Sequence, residues 1–329
     1  MFLLLSTVAL AQEIEYGLPF QQRNLPWPKT PALHLEAGES MQVRGNRLLR
    51  RGAAGTEVLR LPQLTLELQL PFCQASTLSE DGAWLATADG RKIRVLHCQD
   101  GRETFSAPCS GEVWLGFSRG LLLAVQAGLQ LEVHDPTQGP SRSRLALADT
   151  GFRKDFGLGA NLVSSCWLSA DRDRVYCNLV YDGGQHFLLV DRSGGKLTTL
   201  EKNGPGDGST FTPLGDASYI LASHFEHPGD GGFRLEKVVT ESMLHWSGRS
   251  IVQGQNRWPQ GGAAGGARVA YALQGYAVPE RVVEVLDFSA GTRTRLEPPE
   301  ALFYLGLTGD GKYLVLMGRD SGDVYVQEL

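Results

Sequence analysis

The sequence predicts an all-β protein built from one antiparallel sheet unit that recurs along the chain. Its 329 residues include 40 Gly and 16 Pro, and no long apolar face of helical period occurs, which indicates many turns and few helices. The stretch 78–101 shows the unit most clearly, because three short apolar runs end there at Ser-Glu-Asp-Gly, Asp-Gly and Asp-Gly turns. Such a meander cannot cover both of its own faces, so it needs neighbours of the same kind.

Seven copies of this unit follow one another. Successive first inner turns lie roughly 35 to 50 residues apart, which is the period of a four-stranded propeller blade. The copies cover residues 41–70, 73–109, 112–148, 162–201, 211–246, about 262–298 and 305–329. We therefore predict a seven-bladed β-propeller of four-stranded antiparallel blades over residues 33–329.

The seventh copy holds only three strands before the sequence stops at Leu329. A ring left in that state would expose a long sheet edge, which native β proteins avoid. The segment 33–36 is therefore predicted to pair with 324–327 as the missing outer strand. In this way the N- and C-terminal segments would close the ring together.

Residues 1–11 resemble a signal peptide. An apolar run from Phe2 to Leu10 precedes a small-x-small pattern that ends at Ala11, which is the pattern of a cleavage site. The segment predicts a secreted or periplasmic protein. The alternative is a buried N-terminal strand.

Residues 12–32 are predicted to form a Pro-rich extended arm that lies on the body of the protein. Pro26, Pro28 and Pro31 exclude this arm from the centre of a sheet, because proline cannot donate to the strand ladder. No later stretch approaches the roughly 18 continuous apolar residues of a membrane span.

Two stretches carry a family resemblance. Residues 78–95 follow the pattern L-S-x-D-G-x-x-L-A-x-x-D-G-x-x-I-x-V, and residues 308–316 read T-G-D-G-K-Y-L-V-L. They resemble the WD40-like and YVTN-type β-propeller superfamily. The chain departs from the eukaryotic-style WD40 repeat, because no unit begins with Gly-His and no third strand ends with Trp-Asp. The resemblance implies a rigid disc with a central channel, and functions in the superfamily range from docking platform to lactonase.

Long loops predict where a partner binds. In a propeller, the loops between blades and those between the second and third strands share one face, and here the long ones cluster around units four to six. They cover residues 151–159, 181–184, 202–210, 224–232, 252–262 and 274–280. Loop length concentrated on one side suggests a recognition surface, whereas tolerance of insertions at exposed loops is the alternative.

The candidate residues on this face are charged or aromatic. They are Arg153, Lys154, Asp182, Asp207, Arg257 and Trp258. A cation beside an aromatic is a common anchor for a protein or glycan, although a solvated rim would have the same composition. Our first hypothesis is a non-catalytic propeller that binds a partner, in the first instance a protein. The net charge of −5 and the scattered basic residues argue against nucleic acid.

The alternative function is a metal-assisted hydrolase or lactonase at the channel mouth. Its candidate ligands are His224, Glu226, His227 and Asp230, because two imidazoles and a carboxylate suit zinc. Oxygens of Asp182, Asp207 and Asp230 could instead hold calcium. The alternative is that these loop histidines face water and bind no metal. No Gly-x-Ser-x-Gly elbow is present, and the Gly-rich run 261–266 is not a phosphate cradle but is predicted to let an inner strand pack closely.

The five cysteines allow one disulfide to be predicted. Cys166 and Cys177 fall on strands that we expect to be adjacent and antiparallel, so an oxidising compartment would permit a bond between them. Spacing does not give the connectivity of the five cysteines, and their odd number leaves at least one thiol free. Buried cysteines that act as small apolar residues are the alternative.

Overall fold

We analysed a computed structural model of the chain. It describes residues 20–138, 144–147, 163–181, 184–192, 197–202, 210–224, 232–241, 246–255, 257–275 and 281–329. The signal-peptide-like segment 1–11 and the first part of the arm lie outside these residues. The described residues form seven sheets and contain no α-helix, which confirms the predicted seven-bladed, all-β propeller.

Two short strands precede the first blade: β1 (Gln21–Asn24) and β2 (Leu33–His34). Blades 1 to 3 then follow in order. Their strands are β3 (Ser40–Arg44), β4 (Arg47–Gly52), β5 (Gly55–Arg60) and β6 (Thr65–Leu70); β7 (Ala75–Leu78), β8 (Trp84–Ala88), β9 (Lys92–His97) and β10 (Glu103–Pro108); and β11 (Trp114–Ser118), β12 (Leu121–Gln126), β13 (Gln130–His134) and β14 (Arg144–Ala146).

Blades 4 to 7 complete the ring. Their strands are β15 (Val163–Leu168), β16 (Arg174–Tyr181), β17 (Gly184–Asp191) and β18 (Thr198–Lys202); β19 (Thr210–Leu214), β20 (Tyr219–His224), β21 (Gly232–Glu241) and β22 (Trp246–Gln255); β23 (Arg257–Gly265), β24 (Arg268–Gly275), β25 (Arg281–Asp287) and β26 (Thr292–Leu296); and β27 (Leu302–Leu307), β28 (Tyr313–Gly318) and β29 (Asp323–Glu328).

The first strand of every blade is the innermost one. Each of these strands contacts the first strands of both neighbouring blades, and β27 of blade 7 contacts β3 of blade 1. The contacts therefore form an unbroken circle, and the circle encloses the central channel.

The two ends of the described chain meet in blade 7, as predicted. Strand β2 pairs antiparallel with β29, with Leu33 opposite Val324 and His34 opposite Asp323. The side chains of His34 and Asp323 also pair, with 3.0 Å between Nδ1 and Oδ1. A strand from before blade 1 thus completes blade 7 and joins the ring to itself.

The arm adds a strand that the sequence did not predict. Strand β1 pairs parallel with β26, so blade 6 has five strands and β1 lies at its outer edge. The chain then crosses to blade 7, where the Trp27 ring contacts the Tyr325 ring at 5.2 Å between centroids. The prolines at 26, 28 and 31 all follow β1, which is how an edge strand and a Pro-rich segment coexist here.

The apolar core is divided into layers between neighbouring blades. Successive side chains of a strand point to opposite faces of its sheet, so each blade contributes to the layer on either side. One layer joins blades 3 and 4 through side chains such as Leu123, Leu131, Val175 and Leu188. Because every layer is shared by two blades, each blade is stabilised by its neighbours.

One predicted loop, residues 252–262, is wrong. Strand β22 continues to Gln255 and β23 begins at Arg257, so blade 5 ends later and blade 6 begins earlier than the sequence indicated. The glycines and Pro259 suggested a loop, but a register shift between Pro259 and Gly261 accommodates the proline within the strand pair. The close packing predicted for the Gly-rich run is present: a Cβ at Gly265 would lie 2.0 Å from the carbonyl oxygen of Thr308.

Candidate functional site

The strand order gives the ring two different faces. We call the upper face the one formed by the connections between blades and by the turns between second and third strands. The lower face is formed by the turns between first and second strands and between third and fourth strands. The central channel opens on both faces, and a cavity lies at each mouth.

Most of the predicted site residues lie outside the described residues. These are Arg153, Lys154, Asp182, Asp207, Glu226, His227 and Asp230. His224 is the last residue of β20, and Arg257 and Trp258 begin β23, so all three lie at strand ends on the upper face. Within the described part of the chain, no group of three or more His, Cys, Asp or Glu is arranged to hold a metal ion.

Cys166 and Cys177 lie directly opposite each other on β15 and β16. Both thiols are free and buried. Burial, and then the hydrogen bond with Cys177, raise the pKa of the Cys166 thiol well above its ordinary value. The predicted disulfide stays a prediction, and the two residues do lie on adjacent antiparallel strands.

The upper mouth has a cavity of about 480 Å³. Its wall includes Arg51, Gln74, Ser76, Glu112, Val113, Trp114, Leu115 and Val163. The Arg51 guanidinium donates to the carbonyl oxygen of Gln74 at 3.1 Å. The Trp114 indole lies against Gly116, where a Cβ would come within 2.3 Å of the ring. Ser76 Oγ is buried and has no hydrogen-bond partner in the described structure.

Two exposed phenylalanines lie at the upper ends of their blades. Phe72 lies on the connection from blade 1 to blade 2, and Phe303 is the second residue of β27 in blade 7. Each is 61% exposed, the largest values among the large apolar side chains described. Sequence reasoning missed both, because one is embedded in a Pro-containing connection and the other in an apolar inner strand.

The lower face repeats one turn, and this turn explains the sequence pattern of blades 2, 4 and 7. In blade 2, Ser79 Oγ donates to Asp81 Oδ1 at 2.5 Å and accepts from the Trp84 N–H at 2.9 Å. The pairs Ser169 with Asp171 and Thr308 with Asp310 make the same bonds. The repeated S/T-x-D sequence is therefore a device for folding the hairpin.

Backbone hydrogen bonds join these turns from blade to blade. Gly266 N–H donates to Gly309 O at 2.8 Å, Gly309 N–H to Gly45 O at 2.7 Å, and Gly45 N–H to Glu80 O at 2.9 Å. The sequence of bonds runs through blades 6, 7, 1 and 2. A Cβ at Gly45 would lie 2.1 Å from the carbonyl oxygen of Asp81, so the turns approach this closely only because glycine is present.

Side chains continue the connection beyond blade 2. The Arg119 backbone N–H in blade 3 donates to Glu80 Oε1 in blade 2. The Arg119 guanidinium then donates to Leu168 O in blade 4 at 3.2 Å and lies 3.6 Å from Asp216 Oδ2 in blade 5. Glu80 and Asp216 are thus both engaged by Arg119.

The lower mouth has a cavity of about 410 Å³ between the turns of blades 5, 6, 7, 1 and 2. Its wall includes Arg44, Glu80, Asp216, Ser218, Tyr219, Lys237 and the glycines of the turns. The side chains of Arg44 and Lys237 have no hydrogen-bond or ion-pair partner among the described residues, in contrast to Glu80 and Asp216. Nothing in the sequence brought these two cations together, because they belong to blades 1 and 5.

Among the described residues there is no helix with the length and hydrophobicity that a membrane crossing needs.

Comparison with known proteins supports the fold. Neither a protein-family model nor a curated protein matches the sequence. The propeller domain of Cps50 (Swd1) from Myceliophteria thermophila is similar at 14% identity and TM-score 0.59, over 92% of this chain and 100% of that chain. The WD40 repeats of RRP9 match at 12% identity and TM-score 0.56, over 91% and 97% of the two chains. A chain of Kuenenia stuttgartiensis hydrazine synthase matches at 13% identity and TM-score 0.54, over 92% and 99%. At such identities the likeness concerns the fold alone, and the chain has a WD40-like β-propeller fold.

Proposed function

We propose that this protein is a non-catalytic docking platform that binds a protein partner through the upper face of the ring. The observation that carries the proposal is the pair Phe72 and Phe303, two large aromatic side chains that are each 61% exposed on that face. Exposed aromatic side chains are the residues that most often anchor protein–protein interfaces. Because the fold also occurs in hydrazine synthase, the proposal rests on this surface and not on fold analogy.

The aromatic pair spans a rigid part of the ring. Phe303 lies in blade 7, and Phe72 lies on the connection that enters blade 2. Blade 1 therefore lies between them. Inter-blade hydrogen bonds fix these blades: Tyr304 Oη accepts from the Val43 N–H at 2.6 Å, and Gln42 Oε1 accepts from the Leu78 N–H at 2.9 Å. A rigid pair of anchors loses little conformational entropy when a partner binds.

The upper cavity gives the partner a place to insert a side chain. Trp114 offers an apolar wall, and Ser76 Oγ offers a hydrogen-bonding group that the described residues leave unused. Arg257 and Trp258, the first residues of β23, would extend this surface to the other side of the ring. We propose that the contact area runs from the aromatic pair across the mouth to this strand end.

The experiment compares capture of partners by three versions of the full chain from extracts of its native source. Phe72→Ser combined with Phe303→Ser removes the anchors, and Leu66→Ser is the control, because Leu66 is 51% exposed at the other end of an outer strand. We expect wild type and L66S to retain the same protein from the extract. The double variant should bind that protein more weakly, by about 30-fold or more for each anchor removed. Equal retention by all three folded proteins would contradict the proposal.

A further inference from the structure

We propose that the lower mouth of the channel is a second binding site, specific for a small organic molecule with a phosphate or carboxylate group. The cavity there measures about 410 Å³, which is within the range of small-molecule sites and too small for a folded protein. This site is separate from the upper face and does not depend on the function proposed for that face.

The charges of the lining favour an anion. Four charged side chains line the cavity: Arg44, Glu80, Asp216 and Lys237. The two acidic groups have internal partners, because Glu80 accepts from the Arg119 N–H and Asp216 accepts from the Ser218 N–H at 3.1 Å and pairs with the Arg119 guanidinium. Arg44 and Lys237 have no such partner in the described structure, and together with Arg119 these cations exceed the two carboxylates by one positive charge, which favours an anionic ligand.

Arg44 and Lys237 approach the cavity from opposite sides. Arg44 ends β3 in blade 1, and Lys237 lies on β21 opposite Tyr219 in blade 5. The guanidinium presents a planar set of donors that matches the two oxygens of a carboxylate or phosphate, and the ammonium adds a point charge. Two cations facing one space from different blades bind an anionic group better than either would alone.

Tyr219 supplies a neutral donor at the same cavity. Burial, and then the negative charge of Asp216, raise the pKa of the Tyr219 hydroxyl, so this group stays protonated at neutral pH. The Tyr219 ring stacks on Phe288 with centroids 5.6 Å apart and planes 8° from parallel. A fixed phenol beside two cations suits a sugar phosphate or hydroxy acid, whose hydroxyl groups need partners as well.

The lower mouth is already formed without a ligand. The glycine turns on its wall are held by the backbone bonds from Gly266 to Gly309 and from Gly309 to Gly45, at 2.8 and 2.7 Å. A ligand therefore has to order only the ends of the Arg44 and Lys237 side chains. Preformed sites of this kind bind more tightly than sites that must fold around the ligand.

The experiment is isothermal titration calorimetry of the full chain with inorganic phosphate, glucose 6-phosphate, citrate and, as a neutral control, glucose. We expect an anion to bind and glucose not to bind. Arg44→Gln and Lys237→Gln should each weaken binding about tenfold or more, since each removes a charged hydrogen bond. Lys312→Gln is the matched control, because Lys312 is 69% exposed on the same face but does not line the cavity.

The choice of probes separates the two ligand classes. Binding of glucose 6-phosphate but not citrate assigns a phosphate ligand, and the reverse assigns a carboxylate. If R44Q does not fold, Lys237→Glu alone tests the site. This substitution reverses one charge of the cavity, and the exposed position tolerates it. The proposal is wrong if wild type binds none of the anions with a Kd below about 10 mM, which corresponds to a binding free energy of about −3 kcal/mol. It is also wrong if the Lys237 variants bind as wild type does.

Discussion

The two mouths of the channel have different linings although one repeat builds both. The upper mouth has Trp114 on its wall, its cation Arg51 donates to the backbone of Gln74, and the exposed phenylalanines lie on the same face of the ring. The lower mouth has closely packed glycine turns and two cations, Arg44 and Lys237, without partners in the described structure. The protein-binding surface and the anion site that we propose therefore lie at opposite mouths of one channel.

The difference follows from the connections that reach each face. Turns between first and second strands converge on the channel axis, so the lower mouth requires short turns and residues without a Cβ. Connections between blades begin at the outer strand and cross the blade to reach the next inner strand, which leaves them free to vary in length and side chain. The lower mouth is thus constrained by packing, and the upper mouth is open to selection for binding.

The largest effect is expected from disrupting the close contacts between the glycine turns of the lower mouth. In Gly265→Ala the new Cβ would lie 2.0 Å from Thr308 O, so backbone in two blades must move. We expect the free energy of unfolding in urea to fall by at least about 3 kcal/mol.

Gly120→Ala is the control for that substitution. Gly120 lies in the equivalent turn of blade 3 with φ +77° and has nothing within 4 Å of a new Cβ. The substitution should lower the free energy of unfolding only by the strain of the left-handed backbone, about 1 to 2 kcal/mol. Equal losses for the two variants would show that the close contact between turns does not stabilise the ring.

The architecture of this ring was accessible from the sequence to a large extent, because turns and strands are local. The S/T-x-D turns of blades 2, 4 and 7 fold through bonds within five residues, so they leave a readable pattern. Closure by residues 33–36 was predictable from counting strands in the last unit. Strand β1 was not, since it pairs parallel with β26 and depends on a contact between distant segments.

The sites were predictable to a much smaller extent. Arg44 and Lys237 have three blades between them in the sequence and line one cavity only because the ring is closed. Phe72 and Phe303 look like ordinary core residues in the sequence, and only their exposure in the folded ring distinguishes them. The binding face predicted from loop length stays a prediction; His224, Arg257 and Trp258 lie at strand ends on that face, and the sequence pattern missed the exposed Phe72 and Phe303 there.

A second prediction concerns acid, which should loosen the lower face between blades 6 and 7. Burial opposes ionisation of Asp287, but hydrogen bonds from Ser289, the Ala290 N–H and Arg268 outweigh it and lower the pKa of Asp287 to about 2. The same Arg268 donates to Gly311 O of blade 7 at 2.8 Å. Because the folded-state pKa is below the unfolded one, this stabilisation is present above about pH 4 and is lost as the pH falls toward 2.

Asp287→Asn measures that contribution. Wild type should exceed D287N in free energy of unfolding by about 2 kcal/mol at pH 6, and the difference should shrink toward zero near pH 2. Glu297→Gln removes a carboxylate that is 75% exposed and should show no such trend. A difference between wild type and D287N that is independent of pH would mean that Asp287 acts by shape and not by charge.

The smallest effect is expected from salt, and it compares the two mouths directly. Raising KCl from 0.1 to 1 M shortens the screening length from about 10 to 3 Å. Anion binding at Arg44 and Lys237 should weaken a few-fold, whereas partner binding through Phe72 and Phe303 should change by less than about twofold, because burial of apolar area is not screened. Titrating glucose 6-phosphate and the captured partner at both salt concentrations gives the two slopes. If partner binding falls more steeply than anion binding, then Arg51 and Glu112 dominate the upper face instead of the aromatic pair. The proposed contrast between aromatic anchors above and a cationic site below then does not hold.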